Sequence, residues 1–385
     1  MWLRRFQFAF ILAVGCASTF TGAIAQERNA PEALDVNTTY TLDALANRLT
    51  TKRVVFVGET HDRYDHHLNQ LEIIKRLHQA DPSLVIGVEY FQQPFQAQVD
   101  DYIAGRSDEK EFLRTTEYYQ RWGYDYRLYA PIFRFAREQR IPVRALNVPA
   151  ALSSAVVKVG IAGLSEQQRT YLPRDIEPAD DAYKNRLRKA FEAHGPAKPG
   201  EFDHFVEAQL VWDEGMAESA ATYLNAHPGT RMVILAGSGH LEFGSGIPKR
   251  VARRTNATFA IVINGSEEIE PPHVADYVLF SQKEELPPAG LLGVSLEERD
   301  GECRIRSLSP GGAAEKAGLK KGDVLVEIEG QAVKKIADTR LVLWDKKPGD
   351  RVKISVRQER HFGSAGTRPF EIELAAAPPR PAHGK

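Results

Sequence analysis

The chain has 385 residues, 43% hydrophobic and 9% aromatic, with 50 basic against 51 acidic side chains and a formal charge of −1. Length alone predicts more than one domain, because single hydrophobic cores stop growing near roughly 250–300 residues. The balanced charge excludes a role built on bulk electrostatics, so nucleic acid is not an expected partner and a membrane is expected only through an anchor.

The N-terminus reads as an export signal. Arg4 and Arg5 precede an apolar stretch from Phe6 to Val14, and Ala23-Ile24-Ala25 ahead of Gln26 has the small-x-small form of a signal-peptidase site. Residues 1–25 are therefore predicted to be removed, which places the mature protein in the periplasm or at the outer membrane of a bacterium. A membrane-spanning helix needs about 20 apolar residues, more than this stretch supplies. Leu12-Ala-Val-Gly-Cys16 also resembles a lipobox, in which Cys16 becomes a lipidated N-terminus. Cleavage after Ala25 instead leaves Cys303 without a cysteine partner, so no internal disulfide is expected. Residues 26–41 read as a tether.

Next comes a β-branched run, Val54 to Val57, that ends at Gly58 and delivers Glu59, His61, Asp62, Asp65, His66 and His67. This predicts a strand running into a polar loop. Apolar positions at Leu68, Leu71, Ile74 and Leu77 then mark one face of a helix, with Tyr64 and His67 on the same side. Leu84–Tyr90 is a continuous apolar run of the kind buried in parallel sheets, with Glu89 near its carboxyl end. Residues 91–139 read as helical and rich in aromatics, among them Tyr118, Tyr119, Trp122, Tyr124, Tyr126, Tyr129 and Phe133. They form either a cap over a site or ordinary helix packing. A strand at Pro142–Val148, helices over 165–227, a strand at Met232–Ala236 ahead of Gly237-Ser-Gly-His240, a helix from Ile247 and a strand at Thr258–Ile263 complete the alternation. The expected fold is α/β, a mostly parallel sheet flanked by helices, over residues 42–283.

Glu284-Glu-Leu-Pro-Pro288 reads as a linker. The chain beyond it is β-rich and punctuated by glycine: Gly290-Leu-Leu-Gly-Val-Ser-Leu296, Ser309-Pro-Gly-Gly-Ala-Ala-Glu-Lys-Ala-Gly-Leu319 and Gly322-Asp-Val-Leu-Val-Glu-Ile-Glu-Gly330. Residues 286–376 thus resemble a PDZ domain of the bacterial type. The backbone at Leu291, Leu292, Gly293 and Val294 is the expected seat of a peptide carboxylate and of an added strand. Residues 377–385 read as a disordered tail.

In open α/β sheets ligands sit beyond the carboxyl ends of strands, so Glu59, His61, Glu89 and His240 are expected to converge. Imidazoles and carboxylates in one place suit a divalent metal such as zinc or manganese, or a general base held by its partner. Asp213 and Met216 read as structural helix residues. Taken together, Gly58-Glu-Thr-His-Asp62, Gly87-Val-Glu-Tyr-Phe91, Ala145-Leu-Asn-Val-Pro149 and Ala236-Gly-Ser-Gly-His240 resemble the ChaN family of haem-binding proteins within the Tiki/TraB-like superfamily. The resemblance implies an exported protein, often a lipoprotein, of iron and haem uptake, with haem shared in a homodimer. Tyr64, His67, Tyr124 and His240 are the candidate haem contacts. The same superfamily contains esterases and metallopeptidases, which implies the alternative of a metal-dependent hydrolase on Glu59, His61, Glu89 and His240. A third alternative is a non-catalytic scaffold acting through its PDZ module.

Overall fold

The structure, a computed structural model, describes residues 38–192, 200–265, 271–358 and 366–377. The export segment, Cys16, most of the tether and residues 378–385 lie outside the described residues. Among the described residues, no helix is long and apolar enough to cross a membrane.

The chain opens with α1 (Leu42–Leu49), β1 (Val54–Glu59), α2 (Tyr64–Ala80) and β2 (Leu84–Gln92). Helices α3 (Gln96–Ile103), α4 (Glu109–Thr115), α5 (Tyr118–Arg121) and α6 (Ala130–Gln139) lead to β3 (Val143–Asn147). After α7 (Ala150–Val159), α8 (Glu166–Arg169), α9 (Asp181–Glu192) and α10 (Glu201–Ala226) come β4 (Arg231–Gly237), α11 (Ile247–Thr255), β5 (Phe259–Asn264) and β6 (Tyr277–Leu279). The strands form one sheet in the order β3-β2-β4-β1-β5-β6, and every pairing in it is parallel.

Alternation along the strands sorts side chains to the two faces. Val55, Val57, Ile86, Val88, Val233 and Leu235 enter one core with α2 and the aromatic helices. Val54, Phe56, Val85, Met232, Ile234 and Ala236 enter the other with α10 and α11. With both faces covered, the inner strands β1, β2 and β5 are apolar along their buried length, and their polar side chains emerge toward the carboxyl ends. That is why the site lies where it does.

The second module contains β7 (Val294–Arg299), β8 (Glu302–Leu308), α12 (Ala313–Lys316), β9 (Val324–Ile328), β10 (Gln331–Ala332), α13 (Ile336–Leu343), β11 (Arg351–Arg357) and β12 (Thr367–Glu373). Its sheet runs β12-β11-β9-β8-β7, with β10 on β9, and has its own core around Leu325, Ile328, Val352 and Ile354. β7 is an edge strand. The linker Glu284–Pro288 forms neither helix nor strand; Leu286 lies against the larger core, and Pro287 O accepts from Arg127 Nη1 at 2.8 Å.

Candidate functional site

Glu59 ends β1 beside Gly237, which ends β4. Its carboxylate is almost fully buried, 2% exposed. His61 Nδ1 lies 2.7 Å from Glu59 Oε1, His67 Nδ1 lies 2.8 Å from Oε2, and Tyr90 Oη donates to Oε2 at 2.9 Å. Burial by itself raises a carboxyl pKa, but the His67 and His61 imidazoles outweigh it and hold Glu59 at about 2. In return both imidazoles are raised. Burial opposes their protonation, and Glu59 overrides it in each, with Glu89 helping at His61.

A second pair stands across from the first. His240 Nδ1 lies 2.6 Å from Asp213 Oδ1 on α10, and Tyr183 Oη of α9 donates to Asp213 Oδ2 at 2.6 Å. His240 Nε2 faces Glu89 Oε1 at 3.5 Å, while Glu89 Oε2 accepts from Gly237 N at 2.8 Å. Burial again disfavours the imidazolium, but Glu89 and Asp213 lift His240 to about 9. Gly237 separates the two pairs: a Cβ there would lie 2.9 Å from His61 Cε1 and 3.7 Å from Glu89 Oε2. Glu59, His61, Glu89 and His240 therefore converge on one rim of the sheet.

The cover over this rim comes from the aromatic segment. Trp122 and Tyr124 set their rings 4.9 Å and 5.0 Å from that of His61. Trp122 Nε1 donates to Tyr129 Oη at 3.1 Å, and Tyr129 Oη donates to His61 O at 3.2 Å. Tyr118, Tyr126, Tyr129 and Phe133 are core residues, so both readings of the aromatic run hold, each for different residues.

Several expectations need correction. His67 is 1% exposed and spent on Glu59, which leaves it no open face for a haem iron. The helical period placed it on the inner side of α2, but its depth is set by the sheet beneath. Tyr64 packs against the larger core. Among the described residues no group of three or more His, Cys, Asp or Glu side chains is placed to hold a metal ion. Asp213 is not merely a helix residue but the partner of His240. Its signal was the carboxylate pair Asp213-Glu214 inside the otherwise apolar run Val211–Ala217. Tyr90 and Tyr183 are the site residues that the sequence reading missed, while Trp122 belongs to the aromatic run read as a possible cap. In the PDZ module Leu291 N donates to Ala375 O at 2.8 Å and is not open to a ligand, whereas the N–H groups of Leu292 and Gly293 make no backbone bond.

These features define a parallel α/β protein with a strand-tip site of paired imidazoles and carboxylates, followed by a PDZ domain. The profile of the family described as "Haem-binding uptake, Tiki superfamily, ChaN" matches residues 45–251, and a PDZ domain profile matches residues 290–364. The chain belongs to the ChaN family of the Tiki superfamily. Among solved structures, the cofacial haem complex of ChaN from Campylobacter jejuni is 18% identical, with a TM-score of 0.50 over 61% of this chain and 89% of that one. That likeness shows the fold. A mutant of the erythromycin esterase EreC, in its open conformation, is 15% identical with a TM-score of 0.36 over 57% of this chain and 72% of that one. A curated relative, protein RETICULATA-RELATED 5, chloroplastic, of Arabidopsis thaliana, is 25% identical over 239 residues, 56% of this chain. The match spans 31% of that protein's length.

Proposed function

We propose that this is an exported haem-binding protein of bacterial haem uptake in which Tyr124 supplies the iron ligand, while the PDZ groove docks it to the C-terminus of a protein partner. The observation that carries this reading is Tyr124 itself. It is 37% exposed, its ring stands beside His61 and Trp122, and its hydroxyl has no hydrogen-bond partner among the described residues. Ferric haem takes a tyrosine phenolate as axial ligand, and the neighbouring Trp122 and His61 rings give it aromatic neighbours. When bound, haem supplies the iron to be carried; the chain's task is to hold and release it. Burial, then the charges of Asp62, Glu89 and Glu59, raise the Tyr124 pKa, so the phenol gives up a proton to solvent as it ligates. Membership in a family described as haem-binding supports the same ligand. Export, a homodimer sharing haem and lipidation at Cys16 belong to the proposal, and intact mass with N-terminal sequencing of the mature protein reads the last.

A second reading, ester or peptide hydrolysis by acid–base chemistry, is favoured by one observation. Two imidazole–carboxylate pairs, His61 with Glu59 and His240 with Asp213, face each other across Glu89 and Gly237. At neutral pH His240 carries its proton, since its pKa is raised to about 9 by Glu89 and Asp213.

Haemin titration followed by absorbance decides between the readings. The wild type is expected to show a saturable Soret shift that Tyr124→Phe loses. A Tyr124→Phe curve that superimposes on the wild type overturns the assignment, and no haemin binding together with ester hydrolysis abolished in His61→Ala transfers it to the second reading.

A further inference from the structure

The PDZ groove is not closed by the PDZ domain alone. Its cavity, about 640 Å³, is bounded by β7 and α13 and also by Tyr119, Gly123 and Asp125 from α5 and the turn that follows it. That segment is tied to the PDZ domain at several points. Arg340 Nη1 donates to Gly123 O at 2.8 Å, Lys335 Nζ donates to Gln120 Oε1 at 3.1 Å, and the Tyr126 and Trp344 rings meet at 5.6 Å. The same residues have a second face. Trp122 and Tyr124, interleaved with Tyr119, Gly123 and Asp125, are the rings that stand over His61. Two positive φ angles, 52° at Glu117 and 82° at Gly123, give the segment its sharp turns. It is therefore one short plate with the groove on one side and the strand-tip site on the other.

The groove's own chemistry specifies its occupant. The unused N–H groups of Leu292 and Gly293 suit a carboxylate, the edge strand β7 offers pairing to an extended backbone, and Leu296, Ile336 and Leu343 line an apolar floor. A peptide with a free C-terminal carboxylate and an apolar last side chain fits. We infer that such a peptide is an effector of the strand-tip site: seated in the groove, it presses on the plate and changes how Trp122 and Tyr124 cover His61. This rests on the reading of Tyr124 as the haem contact. The step beyond docking is that groove and site share one wall, so occupancy of either is felt by the other. Such a coupling is reciprocal.

The test uses the full chain and a panel of short peptides ending in Ala, Val, Leu or Phe, with C-terminal amides as controls. Haemin affinity is measured with and without the tightest peptide, and peptide affinity with and without haemin. The expected result is a change of roughly fivefold or more, equal in the two directions. It should fall toward one in Arg340→Ala and in Trp344→Ala, which free the plate from α13 and its C-terminal end. Amide exchange over residues 118–129 and the His61 imidazole signal are followed in the same peptide titration. If haemin does not bind but the peptide shifts both signals, the coupling stands and the haem assignment alone fails. Peptide binding that leaves both signals and the haemin affinity unchanged overturns the inference, as does failure of every carboxylate peptide to bind.

Discussion

Asp213→Asn removes one charge and almost no volume from a pair 2.6 Å apart. In the wild type, burial works against the His240 imidazolium, yet Glu89 and Asp213 lift its pKa to about 9 from an ordinary 6.5. That gap amounts to about 3 kcal/mol of preference for the charged form in the fold. Because the folded value lies above the unfolded one, the stabilisation is fully present below about pH 6.5 and is lost as pH rises through about 9. With asparagine at this position Glu89, at 3.5 Å, is left to offset burial on its own, and His240 drops from about 9 toward its ordinary value. The variant should therefore be less stable than wild type by about 1–3 kcal/mol at about pH 6, with the difference closing toward about pH 9. Urea unfolding across this range measures the first quantity, and histidine NMR titration measures the second. Wild-type His240 titrating at or below its ordinary value, or a stability loss that does not change with pH, would refute the reasoning.

Glu59→Gln keeps the shape of the first pair and removes its charge. The folded pKa of Glu59 is depressed to about 2, so its contribution of about 3 kcal/mol is present above the unfolded value and fades as pH falls through the folded one. Denaturant midpoints of the variant should lie below wild type at neutral pH and approach it in acid. Gly237→Ala puts a methyl 2.9 Å from His61 Cε1. It should turn the imidazole off Glu59 at a cost of about 1–3 kcal/mol, seen as a lowered His61 pKa by NMR. Haemin affinity should rise with pH below the Tyr124 pKa, by up to about tenfold for each pH step, because ligation releases the phenol proton. A flat affinity profile between neutral and mildly alkaline pH would count against phenolate ligation.

Much of the sheet was legible because a strand buried on both faces must be apolar until it ends. β1, β2 and β4 announce themselves as apolar runs whose first polar residues cluster near their carboxyl ends, and in a parallel sheet those ends share one edge. That is why Glu59, His61, Glu89 and His240 were readable as a set. The partners that tune them were not. Asp213 sits mid-helix in α10, and nothing in sequence spacing says that α10 lies under the His240 turn. His67 shows the opposite failure: the helical period gave its side but not its depth. β6 has three half-buried residues, too few for a pattern. The contact of Trp344 and Arg340 with the aromatic plate depends on how two separately legible modules dock, which neither sequence pattern encodes locally.

The central claim is that a phenolate from Tyr124, at the rim shared by Glu59, His61, Glu89 and His240, holds ferric haem. Resonance Raman spectroscopy of the haemin complex, made with ring-deuterated tyrosine, tests it most directly. Iron–phenolate bands that shift on deuteration and vanish in Tyr124→Phe are the expected result. Bands of a histidine-ligated haem, or phenolate bands that persist in Tyr124→Phe, would contradict it.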